Sequence, residues 1–468
     1  MTAGRTCLAV VGVLLCAGCD LGPDYRRPPL DVPAGWQQAA GGAVWPAADW
    51  WRGFGSAELD QLMVEAQQAN YDLAAAVARV READAQVRIA GAALLPTASL
   101  TAGVTSEQLG GSGRGVNGTF YQVAPIASYE VDFWGKNRAS LESAKASALA
   151  SRYDQQVVAL TVETSVANTY FTILSLQDRI RVAQQNLANA QDALNGIVAQ
   201  QNLGTATKLD VVQQQTVVAT ERAAIPPLEQ QFQQNINALA ILLGKPPEQV
   251  KITGGSLAAL AIRAVAPGLP SELLARRPDV AEAEADLVAA NANIKVARAQ
   301  FFPDVTLTGE GGFESAALAG LFTPAAGIYS LAAAATQPIF TGGSLEGQLE
   351  LSKARYDELL QDYRKAVISA FGDVENALIA RQKTEDQTVD QQDTVQKARQ
   401  AYQISERQYR AGTVTLLTVL TTENALFPAE DTLVQDKLAN LEATVSLFQA
   451  LGGGWTETTA TQAAQTPR

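Results

Sequence analysis

The sequence contains no histidine, and its three cysteines, Cys7, Cys16 and Cys19, all lie within the first nineteen residues. Without histidine the chain lacks the commonest general base and the commonest neutral metal ligand. Beyond Cys19 it can form neither a disulfide nor a thiolate metal site. Charged residues make up 18% and aromatic residues 6% of the chain, so a dense aromatic core is not expected. We therefore predict no enzyme activity, no catalytic residues, no metal and no cofactor.

Positive charge is also scarce. The formal net charge is −13, and it becomes −14 if an N-terminal segment carrying Arg5 is removed. Proteins that bind nucleic acid need a basic face to contact the phosphates. The charge therefore argues against a nucleic-acid partner.

The N-terminus has the layout of a secretory signal. Residues 1–18 contain one positive charge, an apolar run too short to span a bilayer as a mature helix, and small residues before Cys19. The ending LCAGC resembles a bacterial lipobox, although Cys16 stands where Leu, Val or Ile is usual. This predicts a covalent diacylglycerol and N-acyl lipid at Cys19, which would give stable anchoring; an ordinary secretory signal cut nearby is the alternative. Asp20 resembles an inner-membrane retention signal of enteric bacteria, so its effect on sorting stays open.

The chain contains an internal repeat with a period of about 207 residues, which is the first feature to seek in any sequence. Matching landmarks are Asp72 with Asp279, Pro96 with Pro303, Phe133 with Phe340, and Gly204 with Gly412. We predict a lipid-anchored segment at 19–55, repeat 1 at 56–255, repeat 2 at 256–455, and a disordered tail at 456–468.

Each repeat contains two segments with the alternation of strands. The predicted strands lie at about 97–107 and 119–132 in repeat 1, and at about 304–315 and 328–340 in repeat 2. A membrane strand needs about 9 to 11 residues and a closed barrel at least eight strands. Four strands in lipid would therefore need strands from other copies to satisfy their backbone. A soluble antiparallel patch is the alternative.

Long helices follow the strands. Segments at about 137–203 and 344–411 contain no proline and would each extend on the order of 100 Å. Shorter helices are predicted at about 206–243 and 415–451, where Pro226, Pro227 and Pro428 should kink or break them. The helices alone would also suit a coiled-coil rod.

Several motifs in order resemble the TolC family, specifically its lipoprotein branch that includes OprM and NodT. They are CDLGPDYRRP at 19–28, ADWWRGFGSAELDQLM at 48–63, ALAILLGKPPE at 238–248, LLARRPDVAEAE at 273–284 and ALGGGW at 450–455. The resemblance covers nearly the whole mature chain.

The resemblance implies a mainly α fold with a small β part, the TolC-like trimeric α/β-barrel. Each subunit would give four strands to a 12-stranded outer-membrane β-barrel and long helices to a periplasmic α-barrel. The implied function is the outer-membrane channel of a tripartite efflux system, a passive exit duct for drugs, metals or other small molecules. The implied partners are two further copies, a periplasmic adaptor (membrane fusion protein), an inner-membrane pump commonly of the proton-driven RND type, and outer-membrane lipid.

The resemblance also assigns roles at two helix-to-helix turns. Adaptor docking is implied at the turns, and a periplasmic gate at Asp210 and Tyr409. Val414, Thr418 and Thr421 replace the charged residues that line the second turn in TolC, so a charged gate of that kind is not expected. The residues implied in docking are Leu203, Gly204, Thr205, Ala411, Gly412 and Thr413.

Three other functions fit parts of the sequence. A channel for type I protein or oligosaccharide secretion would share the fold. An envelope scaffold lipoprotein without a pore would share the anchor and the long helices. A hydrolase with a carboxylate pair is the enzyme alternative, but the acidic residues scatter along helix surfaces.

Overall fold

The computed structural model describes residues 22, 24–37, 44–109, 116–261 and 268–456. The predicted signal, Cys19, Asp20 and residues 457–468 of the tail lie outside the described residues. The chain forms two compact units, and each takes segments from both sequence repeats. Unit 1 consists of Met1–Leu30, Arg79–Arg152 and Glu282–Lys365. Unit 2 consists of Asp31–Ala78, Tyr153–Ala281 and Ala366–Arg468.

Helices make up most of the chain. In order, they are α1 (Ala57–Ala69), α2 (Tyr71–Ala92), α3 (Lys136–Asn202), α4 (Lys208–Leu242), the one-turn α5 (Pro270–Leu273), α6 (Pro278–Ala299), α7 (Ser344–Arg410) and α8 (Leu416–Ala450). The helices of the two repeats match in length: α2 and α6 have 22 residues each, α3 and α7 have 67, and α4 and α8 have 35.

The prediction that proline breaks the shorter helices is wrong. Helix α4 continues through Pro226 and Pro227, and α8 continues through Pro428. Proline removes an N–H group and crowds the preceding turn, which destabilises a helix by about 3 kcal/mol or more. Buried neighbours offset this loss, because Leu228 and Phe427 are 8% and 5% exposed.

An antiparallel sheet of four strands lies in unit 1, in the order β1 (Thr97–Leu109), β2 (Val116–Val131), β3 (Asp304–Ser315) and β4 (Gly327–Thr336). β1 and β4 form its two edges. β4 ends before the predicted limit near 340, because Pro338 has no N–H group to continue the ladder.

The register gives the sheet one apolar and one polar face. Directly paired residues share a face, and Tyr129 pairs with Leu307, which pairs with Ala333. On the polar face, the amide of Gln122 donates to Oε1 of Glu310 at 2.6 Å. The apolar face is open in a single chain: its exposed residues include Leu100, Val104, Leu307, Tyr329 and Leu331.

The β2 and β3 strands approach closely at Gly312. A Cβ at this position would come within 2.6 Å of the Cα of Ala124, which is fully buried. Below the sheet, the carboxylate of Asp132 accepts hydrogen bonds from the first backbone N–H groups of α3, those of Asn137 and Arg138. The strand therefore passes into the helix through a capped, fixed turn.

Several aromatic side chains pack together in one cluster of unit 2. Trp50 stacks on Phe448 with ring centroids 5.1 Å apart, and Phe54 meets Phe171 edge to face at 4.9 Å. All four are buried. By length and composition α3 contains a window that could cross a membrane, with a mean hydropathy of 1.3, but 44% of that window is buried inside the protein.

Candidate functional site

The candidate site is formed by two helix-to-helix turns of unit 2, with the packed helices around them. We name residues 203–207 the first turn and residues 411–415 the second turn. The first joins α3 to α4, and the second joins α7 to α8. All six residues predicted to dock the adaptor, namely Leu203, Gly204, Thr205, Ala411, Gly412 and Thr413, are exposed.

Both turns use the same backbone motif. Gly204 and Gly412 adopt positive φ angles of 77° and 71°. The N–H of Thr205 donates to the carbonyl of Gln200 at 2.9 Å, and the N–H of Thr413 donates to that of Gln408 at 3.0 Å. Together with the glycine N–H bonds these are Schellman motifs, which satisfy the last carbonyls of a helix. Glycine is therefore required by the turn itself.

The two turns differ in how the next helix begins. In the first turn the hydroxyl of Thr207 accepts from the N–H of Asp210 at 3.2 Å, and the carboxylate of Asp210 accepts from the N–H of Thr207 at 2.8 Å. This is a capping box, readable in the sequence as Thr-x-x-Asp. In the second turn, the side chain of Thr415 makes no capping hydrogen bond.

The two predicted gate residues have different direct partners. Asp210 is engaged by the capping box, whereas the hydroxyl of Tyr409 donates to Oε1 of Gln200 at 2.8 Å. Burial raises the pKa of Tyr409, and the nearby charge of Asp210 raises it further. The two residues are thus electrostatic neighbours. Gln200 lies 209 positions from Tyr409, so no local sequence pattern could have revealed this contact.

Beneath the turns, apolar side chains from three helices form one cluster. The members include Ile197 of α3, Val211 and Val218 of α4, and Val419 and Leu420 of α8. Tyr402 and Tyr409 of α7 pack against it. On α8, Thr418 and Thr421 are exposed. At these two positions the chain has hydroxyl groups where the resemblance would place charged groups.

A cleft of about 570 Å³ opens beside this cluster. Its walls include Asp192, Gln200, Tyr402 and Tyr409 together with charged residues that are already paired. Arg399 bonds Glu430 at 2.6 Å, and Arg410 bonds Glu406. Within the described ranges, no group of three or more Cys, Asp or Glu residues could hold a metal ion.

Two buried polar residues of this region are not among the residues predicted from the sequence. Glu423 of α8 and Gln214 of α4 are both fully buried. Each occupies a core position of its helix: Glu423 follows Val419 and Leu420 at the spacing of a buried stripe. A carboxylate within that apolar stripe was the signal that could have found the pair.

Repeated long helices with an open, two-faced antiparallel sheet define a class of protein, the outer-membrane channel subunit with a helical duct. The comparisons with known proteins agree. The family model described as outer membrane efflux protein matches residues 62–245 and 269–453. The chain belongs to the outer membrane efflux protein family.

Relatives and solved structures match over nearly the full length. The chain is 43% identical over 434 residues to the pyoverdine export outer membrane protein OpmQ of Pseudomonas putida, covering 90% of this chain and 92% of the relative. It is 32% identical to the cation efflux system protein CusC of Escherichia coli, covering 94% and 97%. The structure of the outer-membrane channel OprN superposes with a TM-score of 0.88 at 28% identity, covering 93% of this chain and 100% of OprN.

The TolC-like fold predicted from the sequence is therefore confirmed, and so is the efflux function. The chain is an outer-membrane component of an efflux system.

Proposed function

We propose that three copies of this chain form a closed channel that serves as the passive exit duct of a tripartite efflux assembly. The observation that carries the proposal is the open sheet. Its edge strands β1 and β4 have one sheet neighbour each, and its apolar face is exposed in a single chain. Lipid offers no hydrogen-bond partners, so a sheet in the membrane must close into a barrel.

The strands have the dimensions for this role. They contain 13, 16, 12 and 10 residues, and a tilted membrane strand needs about 9 to 11. Four strands fall short of the smallest barrels, which have about eight. Three copies would supply twelve, the number that the family resemblance implies.

We also propose lipid attachment at Cys19. The support is the path of the chain just after it. Gly22 lies against the side chain of Lys295, and Arg27 forms an ion pair with Glu284, both on α6. Since α6 ends five residues before β3 begins, these contacts place the described segment that follows the proposed lipidation site against the helix that leads into the sheet. Cys19→Ala should abolish palmitate labelling, and a variant that still incorporates palmitate would contradict the assignment.

The two exposed turns are the proposed docking site for a periplasmic adaptor, and an RND-type pump in the inner membrane is the proposed source of energy. The gate would be held by Tyr409, Asp210 and the apolar cluster beneath them. Asp210→Ala should raise the single-channel conductance of the reconstituted protein. Because this change also removes one of the two hydrogen bonds of the capping box, Thr207→Ala is the control: it removes the other bond of the box and keeps the carboxylate. Equal conductance in Asp210→Ala and wild type would disprove the gate role of Asp210.

The cargo we propose is a small molecule rather than a protein. Relatives whose names specify pyoverdine export or cation efflux both match this chain over 90% or more of its length. This supports a duct that fits many small cargoes. In this proposal the inner-membrane pump, and not the channel, selects the cargo.

The test of the whole proposal combines genetics with reconstitution. Deleting the gene should increase the retention of exported small molecules, and the plasmid-borne chain should restore export. Purified protein should run as a heat-resistant trimer in detergent and conduct ions in a planar bilayer. Cross-linking from cysteines placed at Thr205 and Thr413 should capture the adaptor, with the same change at exposed Glu385 as control. A folded monomer that makes no pore would favour a scaffold lipoprotein instead.

A further inference from the structure

Glu423 and Gln214 form a buried polar pair just below the two turns. Glu423 lies seven residues after the start of α8, and Gln214 lies six residues after the start of α4. Both side chains are 0% exposed. The pair is therefore placed where α4 and α8 meet under the proposed gate.

The hydrogen bonds of this pair are incomplete. Nε2 of Gln214 donates to the backbone carbonyl of Ala190 on α3 at 3.1 Å. In the described part of the chain, Oε1 of Gln214 and both carboxyl oxygens of Glu423 have no hydrogen-bond partner. Three buried acceptors without a donor are costly. A single proton on Glu423 would supply the missing donor, because a neutral carboxyl has an O–H group that Oε1 of Gln214 can accept.

The surroundings favour that proton. Burial raises the pKa of Glu423 to about 7, the Gln214 side chain lowers it to a smaller extent, and the carboxylates of Glu221 on α4 and Glu406 on α7 raise it. Tyr402 of α7 also faces Glu423, and burial followed by the charges of Glu423 and Glu406 raises the pKa of its phenol to about 12. From α3, the acidic residue lining the adjoining cleft is Asp192.

The nearby cations are engaged elsewhere. Arg410 bonds Glu406, and Arg399 bonds Glu430. Neither guanidinium is hydrogen-bonded to Glu423. An ionised Glu423 would therefore be a buried negative charge close to two other carboxylates, with neither guanidinium bonded to it.

We propose that Glu423 is a proton-binding residue of the gate: its neutral form bonds Gln214 and holds α4 against α8, and its ionised form loosens this contact and favours opening. This inference rests on the proposed function, since it assigns a control element to the same turns. The bonded form is fully present below the ordinary carboxyl pKa near 4.5 and is lost as the pH rises through about 7. The channel should thus open more readily in neutral to alkaline medium than in acid.

The first test measures conductance of the reconstituted wild-type protein between about pH 5 and pH 8. Conductance or open probability should increase with a midpoint near pH 7, by severalfold. Glu423→Gln has the shape of the neutral acid and cannot ionise, so its conductance should stay at the acid value throughout. Glu385→Gln removes a carboxylate at an exposed position of α7 and should keep the wild-type profile. A wild-type profile in Glu423→Gln would overturn the proposal.

One further variant tests the electrostatic part of the proposal. Glu221→Gln removes a neighbouring negative charge, which should lower the midpoint. An unchanged or higher midpoint in Glu221→Gln would contradict the assignment.

A spectroscopic measurement separates the proton site from channel activity. Infrared difference spectra should show a protonated carboxyl band that titrates near pH 7 in wild type and is missing in Glu423→Gln. If the band titrates but conductance does not depend on pH, the coupling to the gate is wrong. If no protein conducts at any pH, the proposed channel function fails, and the infrared titration alone then decides whether Glu423 holds the proton.

Discussion

The sheet of unit 1 and the turns of unit 2 treat their backbone polar groups in opposite ways. At the first turn, a Schellman motif satisfies the end of α3 and a capping box satisfies the start of α4. The sheet instead ends in the two edge strands β1 and β4, each with a single sheet neighbour. An open edge is normally covered or blunted because it invites pairing with another chain. Here the edges are long and uncovered within the chain.

The turns are complete within a single chain, whereas the sheet can be completed only in an assembly of several chains. The turns are finished structures, so a partner that binds them meets a preformed surface. The sheet is unfinished, because its apolar face and edges need lipid and other copies. Folding of the turns should therefore be independent of oligomerisation, whereas the stability of the sheet should depend on it.

The largest expected effect comes from placing a charge on the apolar face of the sheet. Leu331 is 84% exposed in the single chain and is the fifth of ten residues in β4. Leu331→Lys should destabilise a sheet in the bilayer by about 2–4 kcal/mol. We expect loss of heat-resistant trimers and of protein in the outer-membrane fraction.

The control for this change is the neighbouring residue of the same strand. Ser330 lies on the polar face and pairs with Glu310, so Ser330→Lys adds an opposite charge beside a carboxylate. It should leave trimer yield near wild type. Equal losses in the two variants would show that the faces are assigned wrongly or that the sheet is not in lipid.

The next effect concerns the glycines that both turns share. A side chain at positive φ destabilises the local structure by about 1–2 kcal/mol. Gly204→Ala and Gly412→Ala should each lower the thermal unfolding temperature, and by similar amounts, because the two turns use one motif. Trimer assembly should persist in both variants, since the turns do not depend on the sheet.

Gly196 in α3 is the matched control, because a Cβ there meets open space and the residue is inside a regular helix. Gly196→Ala should stabilise the protein by about 0.5–1 kcal/mol. A loss of stability in Gly196→Ala equal to that of Gly204→Ala would mean that backbone conformation is not the reason for glycine in the first turn.

Much of the fold could be predicted from the sequence, because its signals are local or repeated. Alternation marks the strands, proline-free runs mark α3 and α7, and Thr207 with Asp210 forms a recognisable capping box. The continuous helix through Pro226 and Pro227 was missed, because tertiary packing overrides a local preference. The contacts of Tyr409 with Gln200 and of Glu423 with Gln214 were missed for another reason: each joins residues about 209 positions apart, and only the packed helices bring them together.

The smallest effect is the one that distinguishes the two turns from each other. Thr207→Ala removes the hydroxyl that accepts from the N–H of Asp210, and loss of such a cap typically destabilises a helix by about 1 kcal/mol. Thr415→Ala should have almost no effect, because the side chain of Thr415 makes no capping bond. Hydrogen exchange over the first turn of α4 should therefore accelerate in Thr207→Ala, and exchange at the start of α8 should stay unchanged in Thr415→Ala. Equal acceleration in the two variants would mean that the turns are capped alike, and the first turn could then no longer be regarded as more firmly held than the second.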